Sequence, residues 1–296
     1  MTRQQKAYLY AGAAVLIWST VASAFKLSLR HLTTLQLLLW ADVVSIICLF
    51  GVLFFQGKIY LLRRYNARSL MRAAGLGFLN PFLYYTVLFA AYDLLPAQEA
   101  QPLNYTWAIT LSLLAVPLLK QPIGLRELLA IFISYFGVVV ISTHGNLTAL
   151  EFSNGLGVAL ALGSTVIWAL YWIYNTRDEN DPVAGLFFNF IFGFPFILAA
   201  CLIFSDPFPD TLHGFIGALY VGVFEMGITF VFWLSALKLT RSTARVSTLI
   251  FFSPFLSLVF IRIFVGEHIR LSTVVGLIFI IAGSVLQQTG KLQKVN

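Results

Sequence analysis

A chain of 296 residues that is 59% hydrophobic and 10% charged, with a mean hydropathy of +0.86, cannot cover itself with polar surface as a water-soluble domain. Its formal net charge of +7 does not call for a nucleic-acid partner, because orientation in a bilayer and contact with anionic lipid account for it.

A spanning helix needs roughly 20 mainly apolar residues. Ten such runs follow one another at 8–25, 34–55, 70–90, 97–119, 123–142, 154–175, 184–204, 213–234, 243–264 and 272–288. Arg3 and Lys6 before the first run and Ala22-Ser23-Ala24 at its end resemble a secretory signal. Removing that run would leave an odd number of spans, so it is read as the first span. With a cytoplasmic N-terminus, Lys and Arg divide into 15 on the inner side and 4 on the outer: Lys26, Arg30, Arg262 and Arg270. Every missed span would invert all later loops and scramble the two groups, so the segmentation predicts cytoplasmic N- and C-termini and a multi-pass protein of the inner (plasma) membrane.

The second span holds Asp42 and the eighth Glu225. Ionisable side chains at such depth cost several kcal/mol unless they meet a cavity or a partner, so these two are the first candidates for proton or charge coupling. Asp42 could also pair with Lys26 or Arg30. Glu225 is followed by Gly227 and Thr229, which leave room for water or a ligand, and its carboxyl could meet a substrate ammonium. In the third span Asn80 and Tyr84 are four apart and would share a helix face, beside the ladder interrupted by Pro81. In the fourth, Asn104 and Trp107 form a second polar and aromatic face, with Tyr105 between them.

The sixth span brings Trp168, with Tyr171 and Trp172 about one turn further on. An indole or phenol stacks on an apolar substrate while its polar atom finds a partner. Many of the 6 Trp and 12 Tyr belong to interfacial belts or to packing, Trp40, Trp172 and Trp233 among them. Gly157 with Ala161, Ala159 with Gly163, and Gly276 with Gly283 are small pairs that let helices approach closely. Pro117, Pro195 and Pro254 could kink their spans.

Cys48 and Cys201 fall toward opposite faces, and His31, His144, His213 and His268 all lie at the outer boundary without metal-ligand spacing, so neither a disulfide nor a metal or other cofactor is expected. Asn146-Leu147-Thr148 matches a glycosylation sequon. There is no GxxxxGK[ST] loop, GxSxG or HExxH, which leaves a gradient as the driving force and speaks against an enzyme.

Trp18 and Trp168 stand 150 residues apart in similar contexts, and Gly137-Val138-Val139-Val140 pairs with Gly283-Ser284-Val285-Leu286 at an offset of 146. Five spans per copy is an odd number. The second copy therefore enters the membrane from the other side, giving inverted repeats at 1–148 and 149–296 whose tryptophans would face each other across a midplane cavity.

Ala236-Leu237-Lys238, Thr240, Ser242, Ser253-Pro254, Gly266-Glu267, Gly276 and Gly283 together resemble the EamA-type repeat of the drug/metabolite transporter superfamily. Asn104-Tyr105-Thr106-Trp107, Trp18-Ser19-Thr20 and the N-terminal Met1-Thr2-Arg3-Gln4 are similar to its YddG-like branch of aromatic amino acid exporters. The resemblance implies ten helices in a basket around a central cavity, with Trp107 as a cavity aromatic. The chain departs from the pattern at Lys120-Gln121-Pro122, where a first Gly-Glu is expected, and at Trp40-Ala41-Asp42, where many relatives carry arginine.

The resulting expectation is an all-α secondary exporter of small organic solutes, amino acids including aromatic ones first. Its partners would be the small-molecule substrate and membrane lipid, and its substrate-binding set Trp18, Asn80, Tyr84, Asn104, Tyr105, Trp107, Trp168, Tyr171, Glu225 and Thr229. The alternative is a membrane-embedded enzyme or lipid-handling protein that uses Glu225 as an acid.

Overall fold

The computed structural model describes residues 1–119, 124–148, 153–175, 180–209, 212–240 and 248–293, and every regular element among them is helical. Among the described residues six helices are long and apolar enough to cross a membrane: α1 (Arg3–Ser28), α2 (Thr34–Phe55), α3 (Ala67–Leu94), α7 (Gly155–Asn175), α8 (Pro182–Phe204) and α9 (Leu212–Trp233). Between and after them lie α4 (Ala97–Asn104), α5 (Trp107–Leu119), α6 (Leu125–Ser142), α10 (Leu249–Val265) and α11 (Leu271–Gln293). The run expected at 97–119 is thus two helices parted at Tyr105 and Thr106. The Lys120-Gln121-Pro122 departure and Ser242 lie outside the described residues.

The helix starts follow local chemistry. Thr2 Oγ1 accepts from the Gln5 N–H at 3.2 Å while Gln5 Oε1 accepts from the Thr2 N–H at 2.8 Å, and Thr33 with Gln36 repeats this capping box at α2. Asp181 caps α8 through the Val183 and Ala184 N–H groups, with Pro182 opening the first turn.

Two long helices are opened halfway along. In α3 the stretch Phe78–Leu83 has π geometry and Asn80 leaves helical backbone (φ −148°, ψ 117°), because Pro81 has no N–H to give and crowds the turn before it. In α9 the stretch Val221–Ile228 is also π-helical, and the Thr229 hydroxyl donates to the Phe224 carbonyl in the widened turn. These openings are separated by an offset close to that of the tryptophan and glycine matches.

Long helices pack in pairs: α1 on α9, α2 on α8, α3 on α7, and α6 on α11. The α6–α11 contact is a small-residue seam in which Gly137 and Gly276 face each other's backbone and Gly283 lies against Ala130 and Ser134. In lipid there is little hydrophobic drive between apolar helices, so close backbone approach supplies the attraction. Gly157 packs against Leu95, but among the described residues nothing occupies the space where a side chain at Gly163 would point, so the expected role of Gly163 in helix packing is not seen.

At one end of the bundle α4 is tied to the segment before α11. Glu267 accepts from the N–H groups of Ala97 (2.8 Å) and Gln98 (3.1 Å), and the Gln98 amide spans the His268 carbonyl and the Arg270 N–H. Beside this, Glu99 is fully buried. Its carboxylate meets Arg270 Nη1, His144 Nε2 and the Ser153 hydroxyl. A cleft of about 540 Å³ opens here, lined by Lys26, Leu95, Gln98, Glu267, His268 and Arg270. At the opposite end Lys58 pairs with Asp181 at 2.9 Å.

Candidate functional site

The π opening of α9 places Glu225 inside the bundle, only 8% exposed. The Tyr85 hydroxyl donates to Glu225 Oε1 at 3.1 Å, and the Trp18 side chain acts on the same carboxyl. Glu225 Oε2 is buried with no hydrogen-bond partner among the described residues.

From this carboxyl a ring of aromatic side chains runs outward and returns. Tyr85 lies 4.8 Å from Tyr84, Tyr84 is 4.5 Å from Trp168, Trp168 is 6.0 Å from Phe230, and Phe230 is 6.1 Å from Trp18, all between ring centroids. Trp18, Tyr84 and Tyr85 come from α1 and α3, whereas Trp168, Glu225 and Phe230 come from α7 and the α9 region. The nest therefore sits where the two halves of the chain meet.

Polar side chains brace it. Asn104 donates to Ser164 Oγ at 3.0 Å and to the Tyr84 hydroxyl at 3.4 Å. Asn189 donates to the Tyr171 hydroxyl at 3.2 Å, and Tyr171 lies 5.8 Å from Trp168. Tyr105, at the break between α4 and α5, bonds Ser253, which in turn accepts from Ser19 at 3.4 Å. Tyr84, Asn104, Tyr105, Trp168, Glu225 and Trp18 thus converge, with Tyr171 behind Trp168 and Thr229 holding the π turn.

Three expectations are corrected or refined. Asn80 and Tyr84 do not share a regular helix face, because Asn80 lies in the break; its side chain is buried and neither amide atom has a partner among the described residues. Asp42 is fully buried, neither oxygen has a hydrogen-bond partner among the described residues, and it does not pair with Lys26 or Arg30. Lys26 spends its ammonium on the carbonyls of Tyr92 and Leu95 at the end of α3, and Arg30 donates to the Val265 carbonyl. Trp18 and Trp168 are on opposite sides of the nest, but the Phe230 ring stands between them. Trp107 packs half-buried against the core, Trp233 rests on Trp18, and the Trp40 indole donates to the Pro207 carbonyl.

Tyr85 and Phe230 were not legible from spacing. Counting turns from Asn80 assumes an unbroken helix, and the break in α3 resets the phase so that Tyr85 reaches Glu225. Glu99 could have been suspected as an acid within an apolar run. Both cysteines are free, and no cluster of three metal-ligating side chains occurs among the described residues.

The EamA-like transporter family matches this chain twice, over residues 5–143 and 155–287. An uncharacterized transporter of Clostridium kluyveri is 29% identical over 57% of this chain and 56% of its own length. Another, from Archaeoglobus fulgidus, is 24% identical over 94% of this chain and 96% of its own. A solved crystal structure superposes with a TM-score of 0.68 at 18% identity, covering 96% of both chains, which shows a shared fold.

Proposed function

The chain belongs to the EamA-like transporter family, a multi-pass membrane transporter, and on that premise we propose that it exports small organic solutes, amino acids including aromatic ones first, by alternating access. In this reading ten spans form two inverted repeats, 1–148 and 149–296, in an inner membrane with both termini cytoplasmic.

The observation that carries the proposal is the nest at the junction of the halves. One buried carboxyl with a spare oxygen is bonded by Tyr85, from which a chain of rings runs through Tyr84, Trp168 and Phe230 to Trp18. A site built from both halves changes its exposure when one rocks against the other. The two opened helices supply backbone that tolerates such a change, since π turns and proline breaks are places where a helix bends. Asn104, Tyr105, Tyr171 and Thr229 hold the walls. Asp42 and Asn80 supply further buried polar atoms for a coupling ion or proton.

The test is solute movement in proteoliposomes. Vesicles loaded with labelled phenylalanine or tryptophan should lose label faster than protein-free vesicles, and Trp168→Ala should slow that loss at least tenfold. A full amino acid panel with no protein-dependent flux would end this reading.

A further inference from the structure

The charges around the nest are one-sided. Among the described residues Glu225 is its sole ionisable group other than tyrosine, and the described groups that act on Glu225, Tyr84, Tyr85 and Tyr105 include no Lys, Arg or His. The nearer helices carry their cations at their ends: Lys26 is spent on carbonyls of α3, and Arg270 is held by Glu99. An amino acid brings two charges, and here its ammonium would find both a carboxylate and aromatic faces. Its carboxylate would find no cation among the described residues, and an unpaired charge deep in a bilayer is strongly disfavoured.

Ring faces are negative at their centres and attract ammonium groups, more so where water is excluded. Trp18, Tyr84, Trp168 and Phe230 supply such faces in the ring that starts at Glu225, whose Oε2 has no hydrogen-bond partner among the described residues. Resting on the transporter reading above, we infer that the nest recognises a primary ammonium carried on an aromatic or apolar skeleton, with Glu225 as its specificity-determining residue, so that arylalkylamines are better substrates than the corresponding amino acids.

The experiment compares phenylalanine, 2-phenylethylamine and 3-phenylpropionate in proteoliposomes of the full chain, with Glu225→Gln as the variant. The substitution keeps the side-chain shape and an oxygen for Tyr85, and monodisperse elution confirms folding. The amine should move at least tenfold faster than the amino acid, the deaminated acid should not move, and Glu225→Gln should erase the preference. Phenylalanine flux equal to or above that of the amine, or a preference that survives in Glu225→Gln, overturns this inference and leaves the exporter reading standing. No protein-dependent flux of any of the three, nor of other amino acids, overturns both. Should Glu225→Gln fail to fold, protection of Glu225 from carbodiimide labelling by the amine but not by the acid, read by peptide mass spectrometry, replaces it; equal labelling in both cases counts against the inference.

Discussion

Glu99 and Glu225 are both carboxylates buried in the bundle, and their surroundings differ. Glu99 is saturated: Arg270, His144 and Ser153 converge on its two oxygens, and neighbouring Gln98 ties the same helix start to the segment before α11. Glu225 has one hydroxyl donor on Oε1 and, among the described residues, no hydrogen-bond partner on Oε2. A carboxylate with donors on both oxygens fixes two chain segments together. One with an unfilled acceptor among aromatic faces has binding capacity left for a ligand.

That comparison can be broken most directly at Arg270. Arg270→Ala strands the fully buried Glu99 carboxylate with His144 and Ser153, and should cost roughly 3 kcal/mol in thermal unfolding in lipid or detergent. Glu99→Ala should cost less, because the Arg270 side chain is 43% exposed and can take water instead. The reverse order would show that the network is not held from the buried side.

Gly283→Leu should cost about 1–3 kcal/mol, since a side chain there must displace Ala130 and Ser134 from the seam. A neutral result would mean that α6 and α11 do not press together as described. Tyr85→Phe removes the hydroxyl donor to Glu225 and should cost about 1–2 kcal/mol. Glu225→Gln should leave stability within ~1 kcal/mol of the parent while changing transport. A loss as large as that of Arg270→Ala would make Glu225 a second structural clamp.

The smallest effect is expected at the opposite end. Burial works against the charged form of Asp181, but the hydrogen bond from Lys58 and the N–H groups of Ala184 and Val183 outweigh it, so its carboxyl lies below the usual value. Its contribution is therefore complete above the ordinary aspartate pKa of about 4 and is lost as pH falls through the lowered native value. Asp181→Asn should destabilise by less than ~1 kcal/mol at pH 7, with the gap to the parent closing below about pH 4. A gap that widens in acid would refute the sign.

Much of the site was visible in the chain. Glu225, Trp18, Tyr84, Asn104, Tyr105 and Trp168 stand out as polar or aromatic residues where apolar ones are the rule, and they converge. Periodicity failed for the Asn80 and Tyr84 pair, and gave no sign of Tyr85, for one reason: a side chain's direction is inferred by counting turns, and the count is void across a π turn or a proline break. Arg270 was seen as a loop charge, but nothing near it in sequence names Glu99, 171 residues away, as its partner.

Composition alone determined that this protein lives in lipid and folds as helices, because apolar runs of spanning length have no other way to satisfy their backbone groups in a bilayer. The spacing of its tryptophans and glycines pointed to a repeated architecture. Only the tertiary structure decided which carboxylate is filled and which is left open. A hydrogen bond depends on distance between groups brought together by packing, and that distance is not encoded in the local sequence around either residue.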